Sequence, residues 1–367
     1  MRPTRLEINL SNLKYNIKEV KNIIGDNVNI IAVLKASAYG NGAEILLDTF
    51  KSEGINNFAV AIPSEGEKLR KIDEKINIII LNQPSIYEID TIINNDLTCG
   101  ACEIEFLQDL NKKSIENKKM SKIHIEVDTG EGRNGVLPSE LPLFIDQVLN
   151  LSNIQIEGVF THLTCADSDR EYTYMQIDKF NKAIDYIKSR NISIKFIHAA
   201  NSSGVLGYKE SYFNAIRPGI MLYGYYPDSK YSRNVFLKPV EKLVSKINYI
   251  KLMPVGSGIS YDKTFIAKRE TKIAVVPIGY ADGYKRAFSN KAEVLIKGKR
   301  AKVIGKVCMD MIMIDITDLE NININDDVYL FDNEEITVEE LAKIADTINY
   351  EIISTISFRV DRIYINE

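Results

Sequence analysis

Cysteine is scarce in this chain. Four residues of 367 are cysteines, at Cys99, Cys102, Cys165 and Cys308. So few thiols exclude a disulfide-built scaffold and suit a reducing compartment. Cys99 and Cys102 have C-x-x-C spacing, which serves zinc or redox sites, but zinc needs two further ligands and no second pair is present. Histidine is scarcer still, with His124, His162 and His198 at no metal-pair spacing. The expectation is no metal site, with the two close cysteines as small buried residues on a strand. No apolar run approaches the ~18 residues of a membrane span. The opening segment, Met1 to Leu10, lacks the apolar core of a secretory signal, so the cytoplasm is the expected compartment, with no membrane association. An excess of one charge sign is missing too. Lys and Arg total 46 against 50 Asp and Glu, a net charge of −4. That balance gives no general reason to bind nucleic acid or an anionic membrane.

What is present is ordinary globular composition, 45% hydrophobic and 26% charged, on a chain long enough for two domains. The first 230 or so residues alternate short apolar runs with helix-like amphipathic runs. Eight candidate strands fall at 29–35, 57–62, 76–81, 97–102, 122–128, 154–161, 192–199 and 215–218. Helical patterns lie between them, as at 11–24, 42–53 and 172–190, with Ser11 as the expected N-cap of the first and Gly25 as its stop. Such alternation reads as βα units on a parallel sheet. Eight units predict a closed (β/α)8 barrel, with a doubly wound open sheet as the alternative. Beyond about Phe236 the runs become short and β-rich, with a hairpin turn at Lys297-Gly298-Lys299 and one helical stretch at 337–348. The predicted class is therefore α/β: a barrel over 1–235 followed by a mainly β domain over 236–367. The boundary is expected within 227–237, and a first strand at about 4–10 lies outside the barrel count and is free to pair with the second domain.

Barrels carry their chemistry at the C-terminal ends of their strands. Lys35 closes the first run, where burial lowers an amine's pKa and prepares it for Schiff-base or general-base work. Taken alone, it equally suits a lysine emerging into solvent. Glycines at 130, 132 and 135 turn the chain after the fifth run and present Arg133, a fork for a carboxylate or a plain surface residue. His162 ends the sixth run, and a lone histidine is more often structural than catalytic. Asn201-Ser202-Ser203-Gly204 and Arg217-Pro218-Gly219-Ile220 offer hydroxyls, amides and a cation suited to a phosphate.

Together these segments resemble one family. Lys35-Ala-Ser-Ala-Tyr39-Gly, Val127-Asp-Thr-Gly-Glu-Gly-Arg133, Thr161-His162, Asn201-Ser202 and Arg217-Pro-Gly-Ile220 are similar to the pyridoxal-phosphate-dependent alanine racemases. Ile259-Ser-Tyr261, Pro277-Ile-Gly-Tyr280-Ala-Asp-Gly, Gly305-Lys-Val-Cys308-Met309-Asp310 and Ile356-Ser-Phe358-Arg359-Val360 continue the resemblance in order. The resemblance implies an isomerase, an amino-acid racemase using pyridoxal 5'-phosphate to interconvert L- and D-alanine and supply peptidoglycan. It implies that Lys35 carries the cofactor as a Schiff base and then serves as one base. Tyr261, from the second subunit, serves the opposite face of Cα. His162 and Arg217 support that acid/base pair, and Arg217 faces the ring nitrogen. Tyr39, Ser202, Gly219, Ile220 and Phe358 match cofactor-binding positions. Arg133 and the Met309 amide match the substrate-carboxylate site. Tyr280, Glu126 and Asp310 match the entrance and the layer behind the site. A head-to-tail homodimer with shared sites, a small amino acid as substrate and no metal complete the implied set.

Some positions depart from the family. Glu126 stands where many members carry a carbamylated lysine, so the expectation is that it braces Arg133, the bland alternative being that it faces solvent. Phe358 stands where a tyrosine usually bonds the cofactor phosphate. Glu131 and Asp262 add acids beside a pocket that normally takes a methyl group. That raises, as the alternative to alanine, a racemase broader in specificity or selective for serine, ornithine or lysine. Rival activities are a cofactor carrier, which the second domain opposes, and a decarboxylase, which Arg217 opposes. An inactive paralogue is opposed by the intact Lys35, Tyr261, His162 and Arg217.

Overall fold

The short apolar runs pair because each is nearly buried along its whole length, the pattern of parallel strands covered on both faces. The computed structural model describes residues 2–233 and 235–366; Met1, Glu367 and Asn234, which falls in the expected boundary region, lie outside the described residues. Strand β1 (Arg5–Asn9) comes first and belongs to the second half of the chain. Then β2 (Asn29–Val33), β3 (Asn57–Val60), β4 (Asn77–Ile80), β5 (Thr98–Ala101), β6 (Ser121–Glu126), β7 (Ile154–Phe160), β8 (Phe196–His198) and β9 (Ala215–Ile216) close into a parallel eight-stranded barrel. The ring is sealed by Asn29 and Ile30 of β2 against Ala215 and Ile216 of β9. An α/β barrel is thus the observed class.

The first helix spans Leu10–Ile24, and Gly25 stops it at φ 73, its N–H donating to Lys21 O at 2.9 Å. Its cap differs from the expectation. Asn9 Oδ1 accepts the Asn12 N–H at 2.9 Å, and Ser11 lies inside the first turn. An asparagine two residues earlier satisfies the free amide equally well.

The chain forms two compact units. One comprises Leu13–Ala38 and Ala43–Lys238; the other comprises Met1–Asn12, Tyr39–Gly42 and Pro239–Glu367. Its strands are β10 (Glu241–Lys246), β11 (Tyr249–Met253), β12 (Gly258–Ile259), β13 (Phe265–Ile266), β14 (Thr271–Val276), β15 (Glu293–Ile296), β16 (Lys299–Lys302), β17 (Ile312–Asp315), β18 (Asp327–Phe331) and β19 (Asp361–Ile365). A six-stranded sheet has the order β16-β15-β18-β10-β1-β19, so β1 pairs antiparallel with β10 and parallel with β19. A three-stranded sheet β11-β14-β17 and the pair β12-β13 complete the unit. Tyr39–Gly42 is tied to it by Arg362 Nε donating to Gly40 O at 3.1 Å and Tyr364 OH donating to Asn41 O at 3.0 Å.

The expected hairpin joins β15 to β16. Ile296 faces Lys299, leaving Lys297 at φ 49 and Gly298 at φ 74, the positive pair that a two-residue turn of this hand requires. The expected helix at 337–348 is shorter, Val338–Ile344, and a second helix, Asn349–Ser354, follows beyond it. Asp346 turns left-handed at φ 54 and Ile348 is extended, so the backbone leaves the helix between them. Among the described residues, no helix is long and apolar enough to cross a membrane.

Candidate active site

Lys35 follows β2 by two residues and opens onto the C-terminal mouth of the barrel. Among the described residues its amine makes no hydrogen bond or ion pair. Burial, then the Arg133 charge, pushes its pKa below the usual lysine value. The backbone after it is unusual. Ala36, Ser37, Ala38 and Tyr39 have φ of 51, 52, 56 and 56. A left-handed turn of non-glycine residues costs about 1–2 kcal/mol each. Glu65 helps hold it: Oε1 accepts the Ala36 N–H at 2.6 Å, and Oε2 accepts the Ala61 N–H at 2.9 Å. Ser37 Oγ accepts the Ala43 N–H at 3.3 Å.

Arg217 directly follows β9 and is 3% exposed. Nη1 donates to His198 Nδ1 at 2.6 Å and to His198 O at 3.0 Å, while Nη2 donates to Thr161 O at 2.8 Å and Ala199 O at 3.2 Å. The guanidinium also lies over the Phe160 ring, 5.2 Å from its centre. No carboxylate pairs with it among the described residues. Burial brings its pKa down to about 10, so it remains a cation at neutral pH.

His162 lies 3.4 Å from Arg217 through Nδ1. Its carbonyl accepts from Gln176 Nε2 at 3.0 Å, and Gln176 Oε1 accepts the Thr164 N–H at 3.0 Å, so a buried glutamine pins the loop. Burial, with the charges of Arg217, Arg133 and Lys35, holds the imidazole well below the usual range and neutral. Ser202 Oγ accepts the N–H groups of Gly219 at 3.0 Å and Met221 at 3.4 Å, which places Ser202, Gly219 and Ile220 in one cluster.

The expected brace is corrected. Glu126 neither pairs with Arg133 nor faces solvent. It ends β6 on the same side as His124, two residues before it, and is 2% exposed. Burial, opposed by Arg217 and Arg133, pushes its carboxyl up to about 7. Arg133 pairs instead with Glu131, Nη1 to Oε1 at 3.2 Å. Asp128 Oδ1 accepts the N–H groups of Gly130, Glu131 and Gly132 at 2.9, 2.9 and 3.2 Å, and this turn sets Glu131 beside Arg133. Glu131 Oε2 is buried with no hydrogen-bond partner among the described residues.

The barrel thus gathers Lys35, Glu126, Arg133, His162, Ser202, Arg217, Gly219 and Ile220. The β-rich unit carries Tyr39, Tyr261, Tyr280, Met309, Asp310 and Phe358. Tyr39 is buried there, its ring 6.1 Å from that of Tyr350. Tyr261 is 66% exposed, Met309 52% and Phe358 81%. Ser260 just before Tyr261 has φ 64 and ψ −172, a region nearly reserved for glycine. Ser260 Oγ donates to Lys306 O at 2.6 Å. Asp262 does not reach outward as a free acid; it pairs with Lys306. Asp310 pairs with Arg359 at 2.7 Å. Beside Tyr261 lies a cavity of about 430 Å³ lined by Met253, Ile259, Cys308, Met311 and Met313.

Sequence reasoning missed Glu65, Asp128 and the buried pair His124 and His198. Glu65 had a local signal, an acid in the first turn after Pro63. The histidines had none, because their partners sit on other strands. Among the described residues, no group of three or more His, Cys, Asp or Glu is placed to hold a metal.

The comparisons accord with this arrangement. Residues 8–227 match the family described as alanine racemase, N-terminal domain, and residues 240–364 match alanine racemase, C-terminal domain. An alanine racemase of Halothermothrix orenii is 42% identical over 100% of this chain and 98% of its own length. Alanine racemase 1 of Clostridium acetobutylicum is 39% identical over 100% of this chain and 96% of its own. Among solved structures, the alanine racemase of Clostridium difficile 630 superposes with a TM-score of 0.96 at 36% identity, covering 100% of this chain and 96% of that one. That of Bacillus anthracis, solved with bound L-Ala-P, gives 0.94 at 33% identity, covering 100% and 96%. With both halves matched and a barrel that ends on Lys35 and Arg217, the chain belongs to the alanine racemase family.

Proposed function

We propose that this protein interconverts L- and D-alanine with pyridoxal 5'-phosphate held on Lys35. One observation carries the reading: an amine free of protein partners opens at the mouth of a barrel whose buried cation, Arg217, has no carboxylate partner among the described residues. The donor set fits the cofactor. Lys35 offers an amine for an aldehyde, and the Ser202 hydroxyl with the Ile220 amide, both set beside Gly219, offers a cradle for a phosphate. When bound, the cofactor draws electron density from the substrate Cα and makes its proton acidic.

The chain's own residues do the rest. Inversion at Cα needs one group to remove a proton and another to deliver one from the opposite side. Lys35, its pKa lowered by burial, is assigned to one side. Tyr261 of a second copy is assigned to the other. A tyrosine near its ordinary pKa of about 10 is a poor base at neutral pH; His162 and Arg217 are assigned to assist it. Arg217 beside a ring nitrogen would disfavour a proton there, which weakens the electron sink and opposes decarboxylation. Arg133 and the Met309 amide hold the substrate carboxylate, with Glu131 bracing Arg133. Tyr39 and Phe358 belong to the cofactor surroundings, and Tyr280, Glu126 and Asp310 to the entrance and the layer behind the site.

A head-to-tail homodimer follows from the assignment of Tyr261 and Met309 to the neighbour's lysine. The exposed Tyr261 and Met309, with Met311 beside Tyr261 at the same apolar cavity, support it, since exposed apolar patches mark interaction surfaces. We place the reaction in the cytoplasm, in keeping with four free cysteines, and its D-alanine in peptidoglycan supply.

The test is loss of the α-proton of L-alanine in deuterated water, followed by NMR and chiral chromatography with added cofactor. Exchange with racemisation, absent in Lys35→Ala, is the expected result. Faster turnover of serine, ornithine or lysine would move the specificity. Bound cofactor without any exchange would reject the reading.

A further inference from the structure

A chain of buried polar groups runs from the barrel mouth into its interior. Arg217 Nη1 is 2.6 Å from His198 Nδ1, and His198 Nε2 is 2.8 Å from His124 Nδ1. His124 Nε2, with no closer polar partner, faces Glu157 Oε2 at 3.6 Å. Glu157 Oε1 lies 3.4 Å from Lys195 Nζ, and Thr98 Oγ1 is 3.5 Å from Oε2. Both histidines are 0% exposed and Glu157 is 6% exposed.

The strands make room for this chain. Ile123 pairs with Ile156, but His124 pairs with Gly158, so Glu157 is the extra residue of a bulge on β7. Bulges in parallel strands are rare and re-aim a side chain. Glycine at 158 leaves room for the ring, because a Cβ there would lie 2.7 Å from three atoms of the His124 ring. Phe160 stacks on His198 at 5.0 Å and an interplanar angle of 4°.

The chemistry of the ends dictates the protons between them. An arginine can only donate, so His198 Nδ1 must be bare and Nε2 must carry the proton. His198 Nε2–H then donates to a bare His124 Nδ1, and His124 Nε2–H points its proton at a carboxylate, which can only accept. The opposite register would set an N–H of His198 against an N–H of Arg217 at 2.6 Å. We propose that Glu157 secures from the far end the tautomers that Arg217 demands of His198 and His124, and so helps hold Arg217 in place, acting as a positioning residue that never touches substrate or cofactor. Lys195 orients the Glu157 carboxylate from the other side. Burial keeps both imidazoles neutral, so the relay carries orientation rather than charge.

The test reads the ring nitrogens of the full-length holoenzyme by 15N NMR, and with three histidines in the chain the spectrum is short. The expected wild-type pattern is bare Nδ1 and protonated Nε2 on both His124 and His198. A proton on Nδ1 of either ring overturns the proposal without any variant. Glu157→Gln keeps an accepting oxygen and should keep both tautomers and kcat. Glu157→Met removes it; the tautomers should mix, the absorption of the lysine-bound cofactor should shift, and kcat should fall about tenfold to a hundredfold with KM little changed. Glu157→Asp, which retracts the carboxylate, is the second variant if Glu157→Met does not fold, with an intermediate loss expected. Wild-type tautomers in both Glu157→Met and Glu157→Asp would overturn the proposal. The nitrogen spectra stand apart from the racemase reading; only the kcat arm rests on it.

Discussion

The barrel interior and the face of the β-rich unit that carries Tyr261 handle their candidate functional residues in opposite ways. Arg217 is 3% exposed, and four of its hydrogen bonds go to His198, Thr161 and Ala199. Tyr261 and Met309 are 66% and 52% exposed. The first region builds its electrostatics within one chain. The second presents a strained, braced loop beside an apolar cavity. Substitutions in the barrel should therefore disturb stability and chemistry together, whereas those on the Tyr261 face should separate the two.

Lys35→Ala gives the largest effect. Racemisation should fall at least about a thousandfold, with cofactor no longer held covalently; activity above a tenth of wild type would sink the assignment. Tyr261→Phe comes next. It should reduce racemisation about a hundredfold or more while leaving Tm unchanged, because the side chain is exposed. Exchange of the α-proton from one enantiomer should survive the loss of inversion, and equal loss of both would argue against a two-sided mechanism.

Glu126 tests the barrel side by pH. Its folded pKa of about 7 lies above the unfolded value near 4.5, so the folded state holds its proton more tightly. Relative stability is then fullest below the unfolded pKa and declines as pH rises through 7. Wild type should lose about 3 kcal/mol against Glu126→Gln between pH 4.5 and pH 8. Parallel urea midpoints for the two proteins over that range would refute the buried carboxyl. Gly158→Ala should destabilise by about 1–3 kcal/mol through overpacking against His124, measured as a shifted urea midpoint. Phe358→Tyr should change stability by less than about 0.5 kcal/mol, since the ring is 81% exposed. A large Tm shift there would show that this face is covered.

The barrel was legible because its eight strands are short, almost wholly buried runs separated by amphipathic helices. The Lys297-Gly298 hairpin was legible because two residues of positive φ have few sequence solutions. Lys35, Arg133, His162 and Arg217 were legible as polar groups at strand ends. The errors share a cause. Ser11 and Asn9 are both good caps, and two residues separate them. The stretch 337–348 keeps helical composition through a break at Asp346 that one backbone angle makes. Glu126 was expected to meet Arg133, and the turn held by Asp128 set Glu131 there instead.

Strand period, helix stops and turn chemistry are properties of neighbours in sequence, so the chain writes them locally. Partnership across the barrel is different. His124, Glu157, His198 and Arg217 come from four strands or strand ends, and each looks ordinary where it stands. Only closure of the barrel, a one-residue bulge at Glu157 and the missing side chain of Gly158 bring them into line. Burial then removes the water that would otherwise answer each donor and acceptor, and leaves the groups to answer one another.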